Sequence, residues 1–326
     1  MNASRLVLSC VIVAVVSSVV TFLFFSLSRR EECKGEVYAH LNASLHCGPA
    51  YSLDKSALLL LKSVLIEYIE EQEGLGNAEV VSLYVRDLNN GPTMGINERE
   101  RFAPASLLKV PLLLTYLSLK EEYGPAIFSH TLSYTLPESE YGQLVEPDEL
   151  IKPNTPYTVE ELLRRMMIYS DNRAYLSLLD YLHQLFPDRD RLLETYIDLG
   201  VINPEDLQDQ TITTKLYSSI FTQLFHASYL RERTSSEWAL ELMTETTFDE
   251  GIRAGVPDLV EVADKFGERY GFDDGLKQLH DCGIVYFPDN PYLLCVMTRG
   301  QDVEKLKTVI AGISSLVYQE FEARKY

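Results

Sequence analysis

The order of local signals along the chain predicts a mixed α/β fold of the α+β kind. Three observations carry this. First, Leu58, Leu61, Leu65, Ile66 and Ile69 recur at helical spacing between Leu53 and Glu73, and Gly74-Leu-Gly76 stops the run. Second, Val80–Asp87 reads as a strand, with Asn89-Asn-Gly91 turning the chain into another near Thr93–Ile96. Third, Leu259–Phe266, Cys282–Phe287 and Tyr292–Thr298 read as three further strands, and Pro288-Asp-Asn-Pro291 turns between the last two. Helical patterns fill the interval between these strand groups; Thr158-x-x-Glu161 is a capping box opening one of those helices. Val303 to Arg324 closes the chain as a helix. If the strands form one sheet, the first two must pair with the last three across the insertion. The result is a five-stranded antiparallel sheet flanked by terminal helices, with an all-helical lobe over about residues 107–230 beside it.

The composition is that of a globular protein: 326 residues, 46% hydrophobic and 24% charged. A net charge of −19 argues against nucleic acid as a partner, because phosphate binding needs a basic footprint. Leu6 to Leu27 holds about 22 residues without a charge, long enough to span a bilayer as a helix. The expected organisation is a signal-anchor over 1–28, a linker over 29–50 and a catalytic domain over 51–326, with a cleaved secretory signal as the alternative. Charges on both sides of the apolar stretch leave its orientation open. A Cys33–Cys47 disulfide is possible outside the cytoplasm, and unpaired thiols are equally compatible with the spacing. Cys282 and Cys295 fall on the two arms of a predicted hairpin and read as small buried hydrophobes. No cysteine spacing reads as a zinc site, and no metal or organic cofactor is expected.

The chemistry begins at Phe102-Ala-Pro-Ala-Ser-Leu-Leu-Lys-Val-Pro111. Residues three apart on a helix share a face, so Lys109 can reach back to Ser106. A lysine that is desolvated or set near other cations loses its proton more easily and can take the one on a serine hydroxyl. On its own this spacing is common, and two further segments give it weight. Tyr169-Ser-Asp-Asn172 follows about sixty residues on, and Lys265-Phe-Gly267 precedes the C-terminal hairpin.

S-x-x-K, S-D-N and K-T-G in this order are the motif set of class A β-lactamases and penicillin-binding proteins. The stretch Thr158 to Asn172 resembles that family's approach to its S-D-N loop, and His280–Tyr286 with Tyr292–Thr298 resembles its last hairpin. The resemblance covers residues 51–326. It implies the same sheet-and-lobe architecture and an extracytoplasmic catalytic domain. It implies Ser106 as nucleophile, Lys109 as base, Ser170 as proton relay and Asn172 as a substrate ligand. Lys265 would attract a substrate carboxylate, and the backbone at Gly267 and Glu268 would complete the oxyanion site with that of Ser106. Asp171 reads as pinning its own loop, and His280 and Asp281 as structural.

Two departures from the pattern matter. Phe266 stands where the family carries threonine or serine, whose hydroxyl would meet a substrate carboxylate. The E-x-x-L-N segment that carries the water-activating glutamate of class A enzymes is absent; Glu205, Asp206 and Asp209 are the nearby acids. The leading expectation is a serine hydrolase that opens β-lactams through an acyl-Ser106. The alternatives are a penicillin-binding D,D-peptidase or transpeptidase acting on cell-wall peptides, and a non-catalytic module that binds peptidoglycan or a partner protein.

Overall fold

A computed structural model of the protein describes residues 13, 15–19, 21, 38–42, 55–89, 91–135, 150–201, 211–270 and 275–324. The chain divides into two units, Met1–Val37 and Tyr38–Tyr326. In the first, the described residues are helical. Most of the expected membrane span lies outside the described residues, and among these no helix is long and apolar enough to cross a membrane. The expected Cys33–Cys47 pair also lies outside them.

The second unit is built on one sheet. Helix α1 (Lys55–Gly74) leads into β1 (Val80–Asp87) and β2 (Thr93–Ile96). At the other end of the chain come β5 (Val262–Tyr270), β6 (Lys277–Val285), β7 (Tyr292–Gly300) and α8 (Val303–Ala323). The order across the sheet is β2-β1-β7-β6-β5, and every neighbour pair is antiparallel. The first hairpin therefore pairs with the last strand across the inserted chain, and β5 is left as an edge.

Alternation along the strands divides the interior in two. Leu279, Val285, Leu294, Val296 and Phe266 face α1 and α8, where Leu58, Leu61, Leu65, Ile310 and Ile313 complete a core. Ala263, Cys282, Ile284, Leu293 and Met297 face the inserted lobe and join its core. The lobe contains α2 (Lys109–Tyr123), α3 (Val159–Ile168), α4 (Asn172–Leu185), α5 (Arg191–Asp198), α6 (Thr214–Phe225) and α7 (Arg233–Thr244). It is not all-helical: β3 (Thr131–Ser133) and β4 (Pro156–Thr158) make a small ladder before α3. It also continues past residue 230 into α7.

Three expectations need correction. The strands β5 and β6 run further toward their shared turn than apolar patterning placed them, pairing from Val262↔Val285 to Tyr270↔Lys277. Strand membership here is set by the backbone ladder, which polar residues such as His280 and Gln278 join as readily as apolar ones. Cys282 and Cys295 are buried, but they are not free thiols: they stand opposite each other on β6 and β7 and form a disulfide.

The third correction concerns the linker. Residues 38–42 dock on the body of the second unit instead of standing apart from it. Leu41 is buried, the Asn42 amide donates to the Phe225 carbonyl at 2.9 Å, and the Ala39 and His40 amides donate to Glu237. His40 is clasped through Nδ1 by Glu237 at 2.9 Å and through Nε2 by Glu261 at 3.2 Å. Burial pulls its pKa down, but the bonds and charges of the two glutamates outweigh burial and leave it above the ordinary 6.5.

Two helix starts within the lobe are fixed by side-chain caps. Thr158 caps α3 as the sequence expects: its hydroxyl accepts from the Glu161 amide at 3.1 Å, and Glu161 accepts from the Thr158 amide at 2.8 Å. Asp171 caps α4 and does more. It accepts from Arg173 and Ala174 at 2.8 and 3.1 Å, and from the distant Ile151 amide at 2.7 Å, while fully buried.

These contacts make distinct predictions for stability. Thr158→Ala should cost about 1 kcal/mol in urea denaturation, the usual worth of a cap. Asp171→Ala should cost about 3 kcal/mol, because it strands buried donors on two separate segments. The strap at 38–42 is held by a raised histidine pKa, so its stabilisation is fully present below the unfolded-state value near 6.5 and is lost as pH rises through the folded value. Hydrogen exchange at the Asn42 amide, normalised for intrinsic rate, should accelerate from about pH 6 to pH 9, and His40→Ala should remove that pH dependence.

Candidate active site

Ser106 lies in a one-turn 3-10 segment, Ala105–Leu108, that runs directly into α2. The sequence places it on the first turn of an α-helix; the tighter turn serves the pairing better. In a 3-10 turn residues i and i+3 eclipse, so Lys109 stands over Ser106. Lys109 Nζ is 3.1 Å from Ser106 Oγ. Ala105 enters the turn with φ +49°, a left-handed conformation unusual for a residue with a Cβ. Tyr217, buried on α6, donates to the Leu107 carbonyl at 2.9 Å and pins the turn from below. Ser106 itself stays partly exposed.

Around Lys109 the chain gathers four oxygens. Nζ is within bonding distance of Ser106 Oγ, of Ser170 Oγ at 3.0 Å, of Asn172 Oδ1 at 2.8 Å and of the Ser170 carbonyl. The carbonyl and the amide oxygen can only accept. A neutral amine has two protons for them and a lone pair left for a serine hydroxyl. The electrostatics favour that form: burial lowers the Lys109 pKa well below its ordinary value, the Lys265 charge lowers it further, and Asp171 and Glu268 oppose both.

Ser170 is brought there by a strained loop. It follows α3, is fully buried and sits at φ +54°, which turns both its carbonyl and its hydroxyl toward Lys109. An outlier of this kind costs on the order of 1–3 kcal/mol and persists only where surrounding contacts overdetermine it; here the Asp171 cap supplies them. From the sheet side, Lys265 on β5 donates to Ser170 Oγ at 3.1 Å and to the Phe266 carbonyl at 2.9 Å. Ser170 Oγ therefore stands between two lysines. Burial brings Lys265 down to a pKa of about 8, with Asp264, Asp281 and Glu268 limiting the fall.

Gly267 sits where β5 meets the nucleophile turn. A Cβ there would lie 3.1 Å from the Leu107 amide and 3.1 Å from the Pro104 carbonyl, so glycine allows the close approach. Phe266 alternates to the other side of the strand and stacks on Phe248 with centroids 4.3 Å apart. Glu268, next along, is half-buried.

Ser106, Lys109, Ser170, Asn172 and Lys265 are thus joined in one hydrogen-bonded cluster, with Gly267 and Glu268 beside it. Asp171 supports the loop and stays out of the cluster. His280 is fully buried, and its Nε2 donates at 3.0 Å to the Ala103 carbonyl, three residues before Ser106. Burial lowers its pKa to about 4, so it is neutral there. It braces the approach to the turn. Asp281 faces the opposite side of the sheet, where the Ile252 amide donates to it at 2.7 Å. Burial and the adjoining Asp264 raise its pKa well above the ordinary range. Tyr217 and Ala105 carry no motif, and sequence patterning had no means of placing them. Glu205, Asp206 and Asp209 lie outside the described residues.

Known proteins resemble this chain both in sequence and in fold. The family model of the beta-lactamase enzyme family matches residues 65–321. A beta-lactamase of Bacillus licheniformis is 28% identical over 236 residues, covering 67% of this chain and 71% of its own. Among solved structures, a class A beta-lactamase from Bacteroides cellulosilyticus superposes with a TM-score of 0.66 at 21% identity, covering 81% of this chain and 99% of its own. PBP-A superposes with a TM-score of 0.63 at 22% identity, covering 85% and 99%. At these identities the structural neighbours establish the fold, and the family match spans most of the sequence. The chain belongs to the beta-lactamase enzyme family.

Proposed function

We propose that the protein is a serine hydrolase of the class A β-lactamase type, opening β-lactam amides through an acyl-Ser106 intermediate. The observation that carries this reading is Lys109: a buried amine 3.1 Å from the Ser106 hydroxyl, its proton affinity lowered by burial and by Lys265. Lys109 takes the hydroxyl proton as Ser106 Oγ attacks the amide carbonyl. The backbone amides of Ser106 and Glu268 hold the oxyanion that forms. Ser170 then passes a proton to the departing nitrogen, with the charge of Lys265 beside it. Asn172 uses Oδ1 to orient Lys109, and its amide N–H group is what it offers a substrate carbonyl. Water releases the acyl group in the last step.

A second reading, a penicillin-binding D,D-peptidase, is favoured by one feature. The chain has no E-x-x-L-N segment to activate that water, so its acyl-enzyme would persist. One structural neighbour is an acyl-enzyme complex of a PBP-A mutant with penicillin G. The Cys282–Cys295 disulfide supports a catalytic domain on an oxidising side of the membrane, with the apolar stretch 6–27 as its anchor.

Intact mass after exposure to penicillin separates the readings. An adduct at Ser106 that appears and then leaves indicates a β-lactamase; one that stays indicates a trap of the D,D-peptidase kind. Ser106→Ala should give no adduct, and Lys109→Met should slow acylation by about 10² to 10⁴, the span of general base catalysis. No label at Ser106 in folded protein, across several acylating substrates, would overturn the proposal.

The rate of acylation should be bell-shaped in pH. Its rising limb follows loss of the Lys109 proton, and its falling limb follows loss of the Lys265 charge near the pKa of about 8. Lys265→Gln removes a positive neighbour that lowers the Lys109 pKa. That variant should lose the falling limb and move the rising limb to higher pH.

A further inference from the structure

Lys265 is the side chain by which the sheet enters the site, and β5, which carries it, is an edge strand paired with β6 alone. Side chains alternate along a strand, so Lys265 shares the lobe side of β5 with Ala263 and Gly267. Neither offers bulk to a lysine stem. The packing beside that stem comes from across the ladder, where Cys282 of β6 stands opposite Lys265. Residues directly opposite bring their Cβ atoms to about 5 Å. Cys282 is bonded in turn to Cys295 of β7, its own partner in the register. Lys265, Cys282 and Cys295 thus form one row across the lobe face of three strands, and all three are fully buried.

The bond bears on the lysine through the position of one sulfur. Joined to Cys295, the Cys282 sulfur is held on its β7 side. A free thiol can leave that rotamer for another, and one turned toward β5 enters the space beside the Lys265 stem. Interiors are close-packed, so a sulfur that moves there displaces what it meets. Lys265 has a fixed place to lose: its ammonium donates to Ser170 Oγ at 3.1 Å and to the Phe266 carbonyl at 2.9 Å. Two residues along β6 from Cys282, on the same face, His280 donates to the Ala103 carbonyl ahead of Ser106. The disulfide row therefore adjoins two of the contacts that assemble the site.

We propose that the Cys282–Cys295 disulfide is a positioning element of the active site: it walls Lys265 into its dry place beside Ser170, and opening it admits water to the ammonium. Its effect on catalysis rests on the acyl-Ser106 reading; its effect on Lys265 does not. Reduction takes two electrons and two protons from a dithiol, breaks the sulfur–sulfur bond, leaves two thiols and closes the reductant to its own disulfide. Burial is the largest influence holding the Lys265 pKa down to about 8, and Asp264 and Glu268 of its own strand and Asp281 of β6 oppose it. Lys109 faces it from the start of α2 across Ser170 Oγ. Opening the disulfide removes none of these charges and relieves the burial, so the pKa rises.

Oxidised and reduced forms of the parent protein test this. Warm dithiothreitol opens the pair, and a thiol count in denaturant that rises by two shows it done. Lys265 is then titrated by NMR of its Cε in isotopically labelled protein, its signal assigned by loss in Lys265→Gln. The midpoint should rise by about one pH unit on reduction, part of the way to the ordinary lysine value, and return on reoxidation. Cys295→Ala opens the pair without a reductant, keeps the sulfur beside Lys265 and should give the same rise. Thr158→Ala, destabilised elsewhere with the disulfide intact, should leave the midpoint in place, because lost stability alone does not move it. The falling limb of Ser106 acylation should follow the Lys265 midpoint upward. A midpoint unmoved by reduction, one moved equally by Thr158→Ala, a falling limb that stays while the midpoint moves, or an open pair that cannot sustain the fold overturns the proposal. Absence of acylation at Ser106 in every form overturns the Ser106 reading instead, since the titration of Lys265 needs no substrate.

Discussion

Two lysines share one serine hydroxyl in the interior of this protein, and the rest of the site is arranged around what that demands. Lys109 is 2% exposed and Lys265 is fully buried, and both reach Ser170 Oγ. An ammonium taken from water loses several kcal/mol of hydration, and two close together repel. The chain meets that cost with fixed oxygens: the Ser170 and Phe266 carbonyls and the Asn172 amide. Asp171 and Glu268 add opposing charge for Lys109, and Asp264, Asp281 and Glu268 do so for Lys265. What remains of the penalty lowers both pKa values. A buried pair of this kind is weak as a source of stability and useful as a way to hold a base unprotonated beside a hydroxyl.

The fold keeps this arrangement in place from three directions. The 3-10 turn at Ala105–Leu108 sets Ser106 under Lys109, with Tyr217 and His280 bracing the turn through carbonyls on either side of the serine. The α3–α4 loop delivers Ser170 in a left-handed conformation, and Asp171 locks that loop to the segment at Ile151. The sheet edge delivers Lys265, with Gly267 allowing the backbone to come close. None of these elements is adjacent in sequence. The sheet joins them because its first hairpin and its last strand are neighbours, which encloses the inserted lobe against β5, β6 and β7.

Much of this was legible before any coordinates. The strands at Val80–Asp87 and Thr93–Ile96 and the capping box at Thr158 appear where local patterning places them. Both closing elements, β7 and α8, follow their apolar runs to within two residues at each end. Patterning failed where a long-range partner decides. Residues 277–281, polar apart from Leu279, join β6 because β5 and β7 lie on either side. Residues 38–42 look like linker until Glu237 and Glu261 close on His40. Cys282 and Cys295 look like two small hydrophobes until register sets them opposite each other.

By itself the sequence determined the order of elements and the residue types that do chemistry, because helical and strand periodicity and motif spacing are local properties written along the chain. Only the tertiary structure decided that Lys109 is buried beside a second cation, that Ser170 stands between two lysines, and that Phe266 faces Phe248 while Lys265 faces the lobe. Desolvation, charge proximity and strand register depend on atoms brought together from distant parts of the chain, and no stretch of sequence read alone contains those distances.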